Sequence, residues 1–400
     1  MFISEKLETK IADSCDVLVC GGGIAGISAA LAAARLNKKV ILLERQYMLG
    51  GLGTAGLITI YLPLCDGCGK QVSFGLAEEL LRLSISLGYE GMYPDNWLDS
   101  VDSSRRTNKD KRFEVQYNPQ CFAMLAEKLL IDNGVEILYG TYAVGVNKTE
   151  DKINAVIIEN KSGRQGISVG SVVDATGDCD IALFAGAPTE IFREGNSLAA
   201  WYYSLGDNGY KLNMVGFLDV PDEEKRDAEK VETSDAKKYQ GVDGGELSKM
   251  VQQAHTSILN CLAEQRKTDK DAMPVTIATI PQVRMTRKIV GEYILDESEV
   301  HMYFADSVGL VSDWRRRGPV FEVPFGTLYS KTVKKLITAG RCTSVTDDMW
   351  DIMRVIPCCA VTGQAAGTAA ALSNDFTKLD INHLQNVLKE NDVKLHENEL

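Results

Sequence analysis

Three kinds of residue in this chain have the type and spacing to do chemistry. Gly21, Gly23 and Gly26 form a G-x-G-x-x-G directly after the apolar residues 17–20. The first glycine permits a tight turn, the second lets backbone approach a phosphate, and the third lets the next helix pack closely on the strand. Glu44 closes a second apolar run about 18 positions later, near the ~20 at which an acid meets the ribose hydroxyls of a dinucleotide. An acid there favours an unphosphorylated ribose, which disfavours NADP without separating NAD from FAD.

Thiols are the second kind. Cys65 and Cys68 form a C-x-x-C in CDGCGK. They read as two unlinked structural thiols, as a redox pair with one low-pKa thiolate beside the cofactor, or as half of a zinc site. No second pair follows at zinc spacing, so no metal is expected. Cys358 and Cys359 open a helix, where the dipole lowers a thiol pKa, although packing is the other role open to them.

Arginines are the third. Arg284 and Arg287 lie in QVRMTRK, and Arg315, Arg316 and Arg317 in DWRRRGP. In an acidic chain they suit a carboxylate or phosphate site, or simply ion pairs at a solvated surface. Among the four histidines (His255, His301, His383 and His396) only His301 has a setting open to general-base work, with Asp306 as an alternative.

The elements that must position these groups are legible around them. Residues 24–36 form a small-residue helix whose N-terminal amides would face a pyrophosphate. After Glu44 comes GGLGTAG, with Gly50, Gly51, Thr54 and Ala55. A second glycine-rich stretch suits a ligand continuing past the pyrophosphate, or is an ordinary flexible loop. Two later stretches repeat the strand-then-glycine pattern: DATGD, with Ala175, Thr176 and Gly177, and AGR, with Gly340 and Arg341. Pro357 suits the first position of a last helix rich in Gly and Ala. Its N-terminus would stabilise negative charge on a reduced ring.

The order of these motifs, ending in RVIPCCAVTGQAAGTAAA, resembles the FAD-dependent oxidoreductases with a glutathione-reductase-type FAD domain. Within them it is similar to the heterodisulfide reductase A-like flavoproteins. VQYNPQCFAMLAEKLLIDNGVEILYGT, VRMTRKIVGEYIL and FEVPFGTLYSK share the likeness, which therefore covers nearly the whole chain. The resemblance implies FAD as cofactor. It implies contacts from Gly21, Gly23, Ile24, Ala25 and Gly26, from Glu44 and Arg45 at the adenosine ribose, and from Ala143 and Val144 beside the adenine. Gly340 and Arg341 would serve the ribityl-pyrophosphate region, and Cys359 and Ala360 the flavin. A ferredoxin-like cysteine run is absent, so the iron–sulfur clusters of some relatives are not expected. A single dinucleotide fingerprint also argues against a disulfide-reductase layout with its second nucleotide domain.

The implied fold is α/β. A FAD-binding domain, a parallel sheet with helices and a small β-meander, would use residues 1–60, 112–190 and 333–400. Residues 61–111 form a flavin-side insertion, and residues 191–332 an inserted α+β domain that caps the flavin. Within the latter, residues 219–241 read as a solvated charge run. The net charge of −12 and pI near 5.0 argue against a nucleic-acid surface. The N-terminal residues lack an export signal and no apolar run is long enough to span a bilayer, so the ten cysteines read as reduced thiols in a cytoplasmic protein. The expected activity is hydride transfer between flavin N5 and a small anionic organic substrate, with Arg284, Arg315, Cys65 and Cys68 as candidate catalytic groups. Trp201, Tyr202, Tyr203 and Trp314 are candidates for the pocket wall. Two alternatives stand beside this: an electron-transfer subunit working with a redox partner protein through Cys65 and Cys68, and FAD in a purely structural role.

Overall fold

The computed structural model describes residues 3–87, 114–207, 209–218 and 237–400. Strand β1 (Ile11–Cys20) runs into helix α1 (Ile24–Arg35), which returns the chain to β2 (Val40–Glu44), parallel to β1. Residues 17–20 and all of β2 are buried. That pattern belongs to a strand covered on both faces, and it explains why these runs are continuously apolar rather than alternating.

A short antiparallel pair, β3 (Ile60–Tyr61) with β4 (Val115–Gln116), and helix α2 (Leu76–Ile85) follow. Helix α3 (Pro119–Asp132) opens on Asn118, whose side chain accepts the backbone N–H groups of Gln120 and Cys121. It leads into β5 (Glu136–Tyr139), which pairs parallel with β2.

The chain then forms a meander of β6 (Tyr142–Thr149), β7 (Lys152–Asn160) and β8 (Gly163–Asp174). The first half of β8 pairs antiparallel with β7. Its second half continues between β1 and β16 (Leu336–Thr338), parallel to both. The result is a five-stranded parallel sheet, ordered β5-β2-β1-β8-β16, whose fourth strand grows out of a β-meander. This is the architecture expected from the sequence.

Helix α4 (Asp180–Ala185) leaves the end of β8. Beyond it, β9 (Thr189–Ile191) pairs with β13 (Arg287–Ile289), and β10 (Tyr202–Gly206), β11 (Gly209–Asn213) and β12 (Met273–Ile277) form an antiparallel sheet. The long helix α5 (Gly244–Gln265) packs Ile258 against Tyr202 of that sheet. A hairpin of β14 (Ser307–Ser312) and β15 (Val320–Pro324) precedes the return to β16. The chain closes with α6 (Asp347–Met353), α7 (Ile356–Leu372) and α8 (Ile381–Glu390). Residues 219–236 of the charge run and 88–111 of the expected insertion lie outside the described residues.

Helices α1 and α7 pack against each other through glycine. A Cβ on Gly363 would sit 2.3 Å from the carbonyl oxygen of Ala25, and one on Gly367 would sit 2.1 Å from that of Ala29. Neither leaves room for a methyl group. This contact sets the N-termini of both helices beside the strand ends β1 and β16. Pro357 is the second residue of α7, one later than expected.

Candidate functional site

The turn after β1 is built from its glycines. Gly21 has φ +106, and a Cβ there would lie 2.3 Å from the carbonyl oxygen of Ala175. A Cβ on Gly26 would lie 1.8 Å from the carbonyl oxygen of Gly21, so this glycine holds α1 against the turn. Gly23 differs: nothing stands within 4 Å of where its Cβ would be. Its backbone faces a cavity of about 390 Å³.

The second glycine stretch folds onto the first. Gly50 donates its N–H to the carbonyl of Gly22 at 2.8 Å, and a Cβ on Gly51 would sit 3.2 Å from the Cα of Gly23. Gly50 and Gly51 therefore form the other lip of the same cavity, not a free loop. At the end of β2 the carboxylate of Glu44 accepts the N–H of Gly22 at 2.8 Å and that of Gln46 at 2.7 Å. Burial pushes the Glu44 carboxyl up, partly offset by those two amides.

Most of the residues expected at a cofactor line this cavity. Gly21, Gly23, Ile24 and Ala25 come from the first turn, Glu44 and Arg45 from the end of β2, and Ala143 from β6. Ala175, Thr176 and Gly177 come from the end of β8, with Arg341 and Cys359 opposite. Gly26, Thr54, Ala55, Val144, Gly340 and Ala360 do not line it, although Gly26, Thr54, Ala55 and Gly340 brace the turns around it. The Thr54 hydroxyl donates to the Leu49 carbonyl and closes the glycine loop, and the Ala55 carbonyl accepts the N–H of Thr279 at 2.9 Å. The N–H of Gly340 donates to the hydroxyl of Thr362 at 3.0 Å, which fixes the turn carrying Arg341. Unforeseen from the sequence are Gln46, Thr141, Asp178 and the stretch Thr279–Ile280–Pro281 with Val283.

Charge at the cavity rim is organised by Asp178. Its carboxylate lies 3.8 Å from Arg45 and 3.6 Å from Arg341, and accepts the hydroxyl of Thr286 at 2.8 Å. Arg341 is further held by donating to the carbonyls of Val283 (3.1 Å) and Arg284 (2.8 Å). Asp180, two residues on, has its carboxyl pushed up to about 6 by burial and by the charges of Asp178 and Asp174.

An open glycine face, a buried acid presenting a carboxylate at the strand end and two helix N-termini suit a dinucleotide pyrophosphate and ribose. The N-terminus of α7 meets the cavity through Ile356 and Cys359. Of the two roles open to its thiols, burial favours packing: it holds Cys358 well above the usual thiol range and pushes Cys359 up to about 12. Both belong to the buried core cluster, and Cys359 also reaches the cavity wall.

A second cavity, of about 60 Å³, adjoins the first and shares Leu52, Gly53, Arg341, Arg354 and Ile356 with it. Ile58, Ile60, Leu62, Trp201, Val355 and Arg284 complete its wall. Arg284 is 4% exposed. Its guanidinium lies over the faces of Trp201 and Phe217, 5.3 and 4.8 Å from the ring centroids, and donates to the Gln282 carbonyl at 3.1 Å. Arg354 is held by the Asp351 carboxylate, with Nε at 3.0 Å.

Other candidates lie apart from both cavities. Arg315 is buried against Asp313, at 3.0 Å, and Glu297, at 3.1 Å, with Asp351 at 3.8 Å; its charge is taken up by carboxylates rather than offered to a ligand. Cys65 is buried, Cys68 exposed, and the two are not joined. Neither lines either cavity. Trp314 donates to the Asp351 carbonyl at 3.0 Å, and His301 is half-exposed beside Glu397, at 2.8 Å. Among the described residues no group of three or more His, Cys, Asp or Glu is placed to hold a metal ion, and no single helix is long and apolar enough to cross a membrane.

Comparison with known proteins adds the family. A model described as FAD dependent oxidoreductase matches residues 16–201 and 199–388. A thioredoxin reductase of Ureaplasma parvum serovar 3 is 25% identical over 182 residues, 46% of this chain and 48% of that protein. An inactive all-trans-retinol 13,14-reductase of Danio rerio is 46% identical over 48 residues, 12% of this chain and 8% of that protein. The chain thus spans about half the length of the first of these relatives and a small part of the second. Among solved structures, a geranylgeranyl bacteriochlorophyll reductase-like protein of Thermoplasma acidophilum is similar at a TM-score of 0.47, with 15% identity over 94% of this chain and 84% of that one.

Proposed function

The chain belongs to the FAD dependent oxidoreductase family, and from that premise we propose that it binds a small anionic organic substrate in the arginine-lined slot beside the FAD cavity. The chemistry that bound FAD supplies is hydride exchange between its N5 atom and a substrate carbon.

The observation that carries this reading is Arg284. It is a buried cation in a slot of otherwise largely hydrocarbon lining, and the slot shares five wall residues with the cofactor cavity. A buried guanidinium is a strong partner for a carboxylate, because its planar donors meet both oxygens in a medium that screens little. Arg341 and Arg354 bring two more guanidiniums to the same wall, each already steadied by an aspartate. Their part is to set a positive field and to hold the anion end of the substrate at a fixed distance from the cofactor.

The rest of the chain positions and excludes water. Glu44 and the paired glycine lips would hold the adenosine and pyrophosphate end. The N-terminus of α7 would favour negative charge at the ring end. Leu52, Ile58, Ile60, Leu62 and Trp201 keep the slot dry, which strengthens every charge interaction inside it. The compartment fitting the free thiols is the cytoplasm.

The test is anaerobic mixing of the FAD-loaded protein with small carboxylic acids, following loss of the oxidised-flavin colour. The reading expects at least one acid to bleach the wild type, and Arg284→Ala to need a much higher concentration. Bleaching by that acid with an unchanged concentration dependence in the variant would remove Arg284 from the site.

A further inference from the structure

The wall that the two cavities share is braced from one short helix. Trp350, fully buried in α6, donates its indole N–H to the carbonyl of Arg341 at 2.9 Å, and its own carbonyl accepts the N–H of Arg354 at 3.1 Å. The next residue, Asp351, holds the Arg354 guanidinium, with Nε at 3.0 Å. A shift or rotation of α6 would therefore carry both arginines with it.

The group that fixes α6 is Lys288, the one buried lysine among the described residues. Its ammonium lies 2.6 Å from the carboxylate of Asp347 and 4.8 Å from the centre of the Trp350 ring. These are the first and fourth residues of α6, so they lie on one face of the helix. One charge against that face sets both the height and the rotation of α6. The contact also closes a ring. Arg341 donates to the carbonyls of Val283 and Arg284, at 3.1 and 2.8 Å, and Lys288 follows Arg284 four positions later.

Stability alone does not account for a buried ammonium at this place. Taking it out of water is costly, and buried ion pairs replaced by apolar groups of similar volume often leave stability unchanged or raised. What an apolar side chain cannot supply is a directed attraction to both a carboxylate and a ring face. We infer that Lys288 is a positioning residue, which through Trp350 holds Arg341 in place against the cofactor cavity. The inference rests on the reading that this cavity takes FAD with Arg341 in its wall, and it needs no assumption about the substrate.

The experiment is FAD titration of the apoprotein, with a thermal melt of each variant alongside. The variants are Lys288→Met, Trp350→Phe, Arg341→Met, and each of the first two combined with Arg341→Met. Trp350→Phe keeps a ring for the ammonium and loses the N–H that reaches Arg341, so it tests the relay even where Lys288→Met does not fold. The inference expects FAD to bind about fivefold or more weakly in both Lys288→Met and Trp350→Phe. It expects little further loss when either is added to Arg341→Met, because residues that act through one another are not additive. Wild-type affinity in a folded Lys288→Met or Trp350→Phe would overturn it. Losses that add in full to that of Arg341→Met would overturn it too, since they mark a merely structural role. Arg341→Met binding FAD like the wild type would remove Arg341 from the cofactor site, and this inference with it. No acid takes part in these titrations, so their outcome is separate from that of the substrate reading.

Discussion

The carboxylate of Glu44 accepts the backbone N–H of Gly22 at 2.8 Å, so the end of the second strand is tied directly to the first glycine turn. The side chain proposed to meet the ribose therefore also shapes the loop proposed to meet the pyrophosphate. Replacing Glu44 by Ala removes both amide contacts and the ribose partner. Each charged hydrogen bond of this kind contributes about 1.5–3 kcal/mol, so FAD affinity should fall by roughly 10- to 100-fold or more. Flavin titration of the apoprotein checks this, and an affinity within about twofold of wild type would contradict it.

Two glycines of one motif should fail in opposite ways. Gly26→Ala puts a methyl group 1.8 Å from the carbonyl of Gly21, so it should destabilise the apoprotein by about 1–3 kcal/mol. Gly23→Ala meets nothing within 4 Å, and its φ of −71 suits any residue. It should leave the apoprotein melting temperature unchanged yet weaken FAD, because its methyl would enter the cavity proposed to hold the pyrophosphate. Thermal melts with and without FAD separate the two outcomes.

Asp180 should make stability pH-dependent in a defined direction. Its folded carboxyl is pushed up to about 6 from the ordinary 3.8, so between these values the folded state holds a proton that the unfolded state releases. The penalty for ionising it is absent below about pH 4, grows as pH rises to about 6, and is constant above. Asp180→Asn should accordingly be more stable than wild type at pH 7.5, with the advantage gone at pH 4. An advantage equal at both pH values would contradict this origin.

Thiol labelling of the folded protein should find Cys68 quickly and Cys65 and Cys359 slowly. Cys68 is exposed, whereas Cys65 is 3% exposed and the Cys359 thiol is held up to about 12 by burial. Mass mapping after a short pulse of a maleimide reads this directly. Equal labelling of Cys65 and Cys68 would point back to an accessible pair.

The cofactor half of the site was legible because its requirements are local. Gly21, Gly23 and Gly26 are forced by a turn, an open face and a helix contact within one short stretch, and Glu44 follows at the length of one helix and one strand. The helix α7 was legible for the same reason, since only small residues fit against Ala25 and Ala29. What escaped is what arrives from far along the chain. Thr279, Ile280 and Pro281 reach the cavity from residues distant in sequence and carry no motif. Arg284 and Arg315 looked alike in sequence, and only the three-dimensional structure puts Arg315 against Asp313, Glu297 and Asp351 and Arg284 in the wall of the slot. For the thiols of α7 the sequence left packing and a lowered pKa both open, because helix position is visible in sequence and depth of burial is not; both thiols are buried.

The account turns on whether the slot that holds Arg284 serves the flavin. Its most direct test is the rate of anaerobic flavin bleaching against the concentration of a small carboxylic acid that reduces the flavin, in wild type and in Arg284→Ala, at matched FAD content. The account predicts that the half-saturating concentration rises by about tenfold or more in the variant. Superimposable curves for an acid that bleaches the wild type would place the substrate elsewhere.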